Sequence, residues 1–136
     1  MAESNLFHLR IISPTRVFYE GDVTMVELTT TEGDIGVLKE HIPLTCVLAP
    51  GVCYIHESDT EIKVAALHDG FVEILQDSVT ILAEIAEWPD EIDLERANEA
   101  RIRAERRLAE NPTGTNIARA TLALKRSAAR IEAAKK

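Results

Sequence analysis

The sequence predicts an α+β fold, with an N-terminal β-sandwich or small barrel over residues 1–88 and a C-terminal antiparallel two-helix hairpin over residues 89–136. Three observations carry that reading. Up to about residue 87, short runs of alternating apolar and polar residues recur between Gly, Pro, Asp and Ser clusters, the pattern of half-buried strands in a sandwich or barrel. At Trp88-Pro89-Asp90-Glu91 the texture changes to helix-length segments rich in Ala, Glu and Arg. The charge changes sign at the same place: residues 1–88 carry 15 acidic and 4 basic side chains, net −11, whereas residues 89–136 carry 8 acidic and 11 basic, net +3.

Phe7, Leu9 and Ile11 alternate with His8 and Arg10 until Ser13-Pro14-Thr15 breaks the run, which marks a half-buried first strand. Further strands are predicted over 23–29, 44–48, 52–56, 61–67, 71–75 and 79–86. They are divided by Glu20-Gly21-Asp22, Ala49-Pro50-Gly51, Glu57-Ser58-Asp59, Asp69-Gly70 and Gln76-Asp77-Ser78. The stretch Thr31-Glu32-Gly33-Asp34-Ile35-Gly36-Val37-Leu38, with His41-Ile42-Pro43-Leu44 after it, holds more turn residues than a simple hairpin needs and is expected to be a surface loop. One helix is predicted over 92–110, with Asp93 as its cap or first-turn acid and Glu95 and Glu99 favouring the positive end of the macrodipole. Asn111-Pro112-Thr113-Gly114-Thr115 stops it, and a second helix is predicted over 116–134. There Ile117, Leu124 and Ile131 repeat every seven residues with Ala120 and Ala128 between them; the first helix offers Leu94, Ala97, Ala104 and Leu108 on a similar stripe, with Ile102 outside it. At about 25 cal/mol per Å² an alanine seam contributes far less than a leucine seam, so the hairpin is expected to dock weakly and to open.

With 136 residues, 46% of them hydrophobic, the chain can bury a packed core. Charged residues make up 28% and no apolar run approaches the roughly 18 residues of a bilayer crossing, so no transmembrane helix is expected. The polar start Met1-Ala2-Glu3-Ser4-Asn5 lacks a secretory pattern, and two cysteines are too few for a disulfide scaffold, which together suggest a reducing, intracellular setting. The acidic front part argues against nucleic acid as a partner. His41, Cys46, Cys53 and His56, with gaps of four, six and two residues, lack the close ligand pairs of structural zinc, so buried inert thiols and no metal are expected. His68-Asp69 stands beside no nucleophile motif, and neither a Walker loop nor a dinucleotide fingerprint occurs, so no catalysis is expected.

The arginines are the informative polar residues. Arg96, Arg103 and Arg107 are spaced by seven and four positions, as are Arg119, Arg126 and Arg130, so each set forms a stripe on one helix face. Such stripes can grip a polyphosphate through charge-assisted forks; they can equally be solvated faces supported by pairs such as Glu99 with Arg103.

Thr31 to Leu38 with His41-Ile42-Pro43-Leu44, then Leu48-Ala49-Pro50-Gly51, Gly70-Phe71-Val72-Glu73, Val79-Thr80-Ile81-Leu82-Ala83 and the helical motif Ile92-Asp93-Leu94-Glu95-Arg96-Ala97 follow one another in order along the chain. On these motifs, and across nearly its whole length, the sequence resembles the epsilon subunit of the bacterial F-type ATP synthase, the equivalent of the mitochondrial delta subunit. The family often has two glycines before the residue matching Phe71; Asp69-Gly70 here implies a different turn within the same fold.

The resemblance implies a non-catalytic central-stalk rotor subunit that couples the catalytic head to the proton-driven c-ring and restrains ATP hydrolysis through its C-terminal helices. It implies contacts with the gamma subunit, the polar loops of the c-ring, and the alpha and beta subunits, at the cytoplasmic face of the bacterial plasma membrane and without insertion into the membrane. By position, Asp34 in the Glu-Gly-x-x-Gly turn would face the ring, and His41 and Pro43 would face gamma. The last 36 residues, with ten Lys or Arg, would suit an acidic surface on beta. No cofactor is required, but in some family members the folded hairpin binds ATP as a regulatory ligand. The matching residues are Glu87, Asp93, Arg96, Ala97, Arg126 and Arg130, with Arg103 added as a neighbour. Asp93 would accept from the adenine amino group or a backbone amide, Ala97 would leave room for the base, and the arginines would neutralise phosphates. Two alternatives remain open from the residues: a stand-alone ATP-sensing module, and a small metal- or thiol-dependent enzyme using His41, Cys46, Cys53 and His56.

Overall fold

A computed structural model describes residues 5–110 and 114–135. Eight strands come first: β1 (Phe7–Ser13), β2 (Arg16–Val23), β3 (Met25–Thr30), β4 (Gly33–Leu38), β5 (Leu44–Leu48), β6 (Gly51–His56), β7 (Ile62–Ile74) and β8 (Ser78–Glu87). A 3-10 turn (Pro89–Glu91) and two helices, α1 (Leu94–Glu110) and α2 (Gly114–Ala134), complete the chain. The helix stop expected at residues 111–113 lies outside the described residues, as do residues 1–4, while Gly114 and Thr115 belong to α2 rather than to a turn.

The strands run in the order β2-β1-β8-β7-β5-β3-β4, with β6 bridging β3 and β7. All the pairings are antiparallel except β1 with β8. Alternation closes this sheet over one core: Leu9, Ile11, Val23, Val26, Ile55 and Ile81 are fully buried.

Within the sheet, three sequence expectations needed correction. The expected surface loop at 31–38 is mostly strand: Gly33, at φ 121, turns the chain and β4 pairs with β3 from Thr30↔Gly33 to Met25↔Leu38. Glu20-Gly21-Asp22 is not a divider but part of β2, paired with β1, and Gly21 makes room for the Tyr19 ring, whose hydroxyl lies 3.1 Å from where a Cβ would stand. Asp69-Gly70 likewise does not end a strand. Both residues sit inside β7 with positive φ, 54 and 145, and the pairing with β8 continues across them from His68↔Ile85 to Gly70↔Ala83. Their effect is to shift the phase of the strand: Ala65 and Leu67 face the core before the pair, Val72 and Ile74 after it. A side chain at Gly70 would meet the Leu82 carbonyl at 1.8 Å.

That phase shift decides where the hairpin lies. Ala66 and His68 project from the side of β7 opposite Ala65 and Leu67, and both are nonetheless fully buried, because α2 packs on β6 and β7 there. The buried residues of α2 form two opposite stripes, Ala120 with Ser127 and, about half a turn away, Ala129 with Ala133. The helix is therefore held between α1, whose buried residues are Ala97 and Ala104, and the sheet. Ala128, expected in the seam, is exposed instead, as are Ile117 and Leu94. At the junction of the two parts Trp88 stacks on Phe18, with ring centroids 4.1 Å apart and planes at 19°, and Arg16 reaches the Glu91 carboxylate at 2.7 Å.

Candidate nucleotide site and docking contacts

β8 ends at Glu87, the 3-10 turn follows, and Asp93 opens α1, so three consecutive elements deliver acidic groups to one corner. Asp93 acts as the helix cap: its Oδ1 accepts from the Arg96 backbone N–H at 3.1 Å. Seven residues separate Arg96 from Arg103, two turns or about 10 Å along the same face of α1. Across from them α2 brings Arg130. These residues border one cleft of about 340 Å³, lined by Glu87, Asp93, Arg96, Ala97, Arg103 and Arg130 among others.

Six of the seven residues carried over for ATP thus stand around one cleft. The seventh, Arg126, is not on its lining. Its Nε and Nη2 donate to Oδ2 of Asp69, at 3.0 and 2.6 Å. Arg130 is also engaged, with Nε 2.7 Å from Glu87 Oε1. Arg96 and Arg103 pair with no carboxylate among the described residues, and their side chains face solvent. Ala97 is 4% exposed and borders the cleft from within the helix–helix seam. The arrangement offers two guanidiniums without a carboxylate partner to anionic oxygens, a third that is held to Glu87 through Nε and lines the same cleft, and carboxylate acceptors for an amino group.

The sequence reading passed over His68 and Asp69 as docking residues. His68 is completely buried, with neither ring nitrogen in hydrogen-bond contact, and its Nε2 lies 3.7 Å from Glu87 Oε1. The Glu87 carboxyl is held below the ordinary carboxylate range, first by the His68 imidazole; partial burial opposes this, and Arg130 reinforces it. The usable signal was the unbroken apolar run Val64-Ala65-Ala66-Leu67 leading into His68, in which alternation stops because both faces of the strand are covered.

The other sequence-selected residues lie elsewhere. Asp34, on β4, is exposed and accepts from the Thr29 hydroxyl at 2.8 Å. His41 and Pro43 lie between β4 and β5, where the His41 ring contacts the Ile42 carbonyl oxygen at 2.8 Å. Cys46 and Cys53 are free thiols on β5 and β6; burial, helped by Glu27, pushes the Cys53 thiol up to about 12. His56 is occupied by Glu27 at 2.7 Å. No three His, Cys, Asp or Glu side chains are grouped to hold a metal ion among the described residues. No described helix is long and apolar enough to cross a membrane. On the sheet surface, Val47, Phe71 and Leu82 form an exposed apolar row across β5, β7 and β8 through the pairs Val47↔Phe71 and Phe71↔Leu82.

Comparison with known proteins gives a consistent picture. Residues 6–89 match the family model of the β-sandwich domain of the ATP synthase delta/epsilon chain, and residues 90–135 match that of its long α-helix domain. The chain is 45% identical over 130 residues to the ATP synthase epsilon chain of Caldanaerobacter subterraneus, covering 96% of this chain and 94% of the relative. It is 42% identical over 128 residues to that of Halalkalibacterium halodurans, covering 93% and 96%. Among solved structures, a chain of the Euglena gracilis mitochondrial ATP synthase OSCP/F1/c-ring assembly matches with a TM-score of 0.83 at 22% identity, over 97% of this chain and 82% of that one. A chain of the Tetrahymena thermophila central stalk and c-ring matches at 0.62 and 14%, over 94% and 96%. With both parts of the chain matched in order, and relatives above 40% identity over more than nine tenths of its length, the chain belongs to the ATP synthase delta/epsilon chain family.

Proposed function

We propose that this chain is a non-catalytic rotor subunit of the central stalk of a proton-translocating ATP synthase, at the cytoplasmic face of the bacterial plasma membrane, and that its hairpin is a movable brake on ATP hydrolysis. The observation that carries the brake is how α2 is held: small-residue stripes and two arginine–carboxylate pairs, Arg126–Asp69 and Arg130–Glu87, rather than a leucine seam. Such a contact is weak enough to release and specific enough to re-form. Released helices present a basic surface suited to acidic patches on the alpha and beta subunits.

In the docked state ATP is the regulatory ligand, with Arg96, Arg103 and Arg130 on its phosphates and Asp93 or Glu87 on the adenine amino group. Arg126 acts from outside the cleft, fixing α2 to Asp69. Asp34 meets the polar loops of the c-ring, and His41 and Pro43 meet gamma. The exposed row Val47–Phe71–Leu82 supports a permanent partner, for which gamma is the proposed occupant. A stand-alone ATP sensor leaves that row without a use.

Two measurements test the reading. Calorimetric titration of the isolated chain with ATP, GTP and ADP is expected to show selective ATP binding that is lost in Arg103→Ala and weakened in Arg126→Ala. In the reconstituted complex, removal of residues 89–136 is expected to raise ATP hydrolysis while the chain still co-purifies with gamma. Unchanged hydrolysis would remove the brake, and failure to co-purify would remove the stalk assignment.

A further inference from the structure

We infer that Arg16 on β2 is a positioning residue for the nucleotide site: it lines no part of the cleft, yet by neutralising the Glu91 carboxylate it makes the cleft cationic enough to hold a polyphosphate. The inference rests on the ATP reading proposed above and assigns part of that site's affinity to the sandwich rather than to the helices.

The charges on the cleft wall balance. Arg96, Arg103 and Arg130 supply three guanidiniums, and Glu87, Glu91 and Asp93 supply three carboxylates. A wall of that kind can orient a nucleotide, but it has no net charge to offer the several negative charges of a triphosphate. Two of the carboxylates bond within the wall itself: Glu87 accepts from Arg130 Nε at 2.7 Å, and Asp93 from the Arg96 backbone N–H at 3.1 Å. Glu91 differs, because its cation comes from outside. Arg16 places Nη2 2.7 Å from Glu91 Oε1 across 75 residues of sequence, and so adds a positive charge that no lining residue supplies.

That charge is held in place from below. The Arg16 guanidinium carbon lies 5.0 Å from the centroid of the Phe18 ring, which stacks on Trp88, and Nη2 is also 3.5 Å from the Ala86 carbonyl oxygen near the end of β8. The same Oε1 of Glu91 accepts from the Trp88 backbone N–H at 2.9 Å. Arg16 first, and the Trp88 N–H after it, hold the Glu91 carboxyl below the ordinary carboxylate range, while Glu87 pushes the other way across the same wall. Without the guanidinium, Glu91 stands on the cleft wall as an uncompensated anion. Both partners are partly exposed, 43% and 38%, so the effect on a nucleotide is that of a screened charge and depends on salt.

The test is titration calorimetry of the full chain with ATP and with ADP, at about 20 mM and about 500 mM salt. Wild type is compared with Arg16→Met, Arg16→Lys, Glu91→Gln and the double variant Arg16→Met/Glu91→Gln. At low salt Arg16→Met is expected to bind ATP about three- to tenfold more weakly, with a smaller loss for ADP, which carries less charge. At high salt, where charges are screened beyond about 4 Å, little of that loss should remain. Arg16→Lys keeps the charge and is expected to bind as wild type does. Glu91→Gln, which keeps an acceptor for the Trp88 N–H, is expected to tighten ATP binding, and in the double variant to return the affinity to about the wild-type value. Three results overturn the inference and leave the ATP reading standing: an ATP affinity unchanged in Arg16→Met, a loss equal for ATP and ADP at both salts, or a loss that Glu91→Gln does not reverse. Absence of ATP binding by the wild type overturns the ATP reading and this inference with it.

Discussion

Arg126 on α2 places both Nε and Nη2 on a single carboxylate oxygen of Asp69, at 3.0 and 2.6 Å, across 57 residues of sequence. Asp69 is able to meet it because its left-handed backbone, φ 54, sits where β7 changes phase. The docking of the hairpin is therefore written into an irregularity of the sheet. Asp69→Asn is expected to weaken docking by about 1 kcal/mol, raising the open fraction about fivefold. Amide exchange should quicken over residues 117–134 and stay unchanged in β1 and β8.

Gly70 has no tolerable replacement. Its φ of 145 and the Leu82 carbonyl 1.8 Å from any Cβ exclude alanine without movement of β8. Gly70→Ala is expected to destabilise the sandwich by about 3 kcal/mol or more, read as a lower urea midpoint.

Trp88 ties the two parts of the chain together. Truncation of a ring stacked at 4.1 Å on Phe18 removes apolar contact on both partners. Trp88→Ala is expected to cost about 2–3 kcal/mol, short of the full core value because the residue is half-buried. The quantity to measure is the unfolding free energy of the whole chain, with Trp88→Phe as the partly restoring substitution.

Acid should release the hairpin before it unfolds the sandwich. The docked Glu87 carboxyl sits below its ordinary value of 4.5, first through His68 on β7 and, for the part that depends on the hairpin, through Arg130; that part is fully present above 4.5 and is lost as pH falls through the lower docked value. Tyrosine or tryptophan fluorescence combined with exchange rates in α2 should show release in that window. Glu87→Gln is expected to flatten the dependence and leave the docked state weaker at neutral pH.

Much of the fold was legible because period two and helix spacing are local properties. The strand at 44–48 was read with those bounds, and both helices fall in the stretch expected to be helical. The segments read wrongly were those in which glycine serves a purpose other than a turn. Gly21 accommodates the Tyr19 ring, Gly36 lies under Met25, and Gly70 permits the phase shift, so each made a paired strand look broken. The arginine stripes were visible as stripes. Their engagement with Asp69 and Glu87 was not, because those contacts span 57 and 43 residues and depend on which side of β7 is covered. His68 was hidden for the same reason: one buried histidine in an apolar run has no sequence mark that separates it from ordinary packing.

The stack of Trp88 on Phe18 and the Arg16–Glu91 pair fix the 3-10 turn to β2, and α1 begins three residues after Glu91. Any swing of the helices thus pivots at Ile92 and Asp93, a point fastened to the sandwich. A helix of 17 residues on that pivot is a lever about 25 Å long. A rotation of about 40° at two backbone positions then carries its far end through an arc of about 17 Å, while the pivot itself stays put.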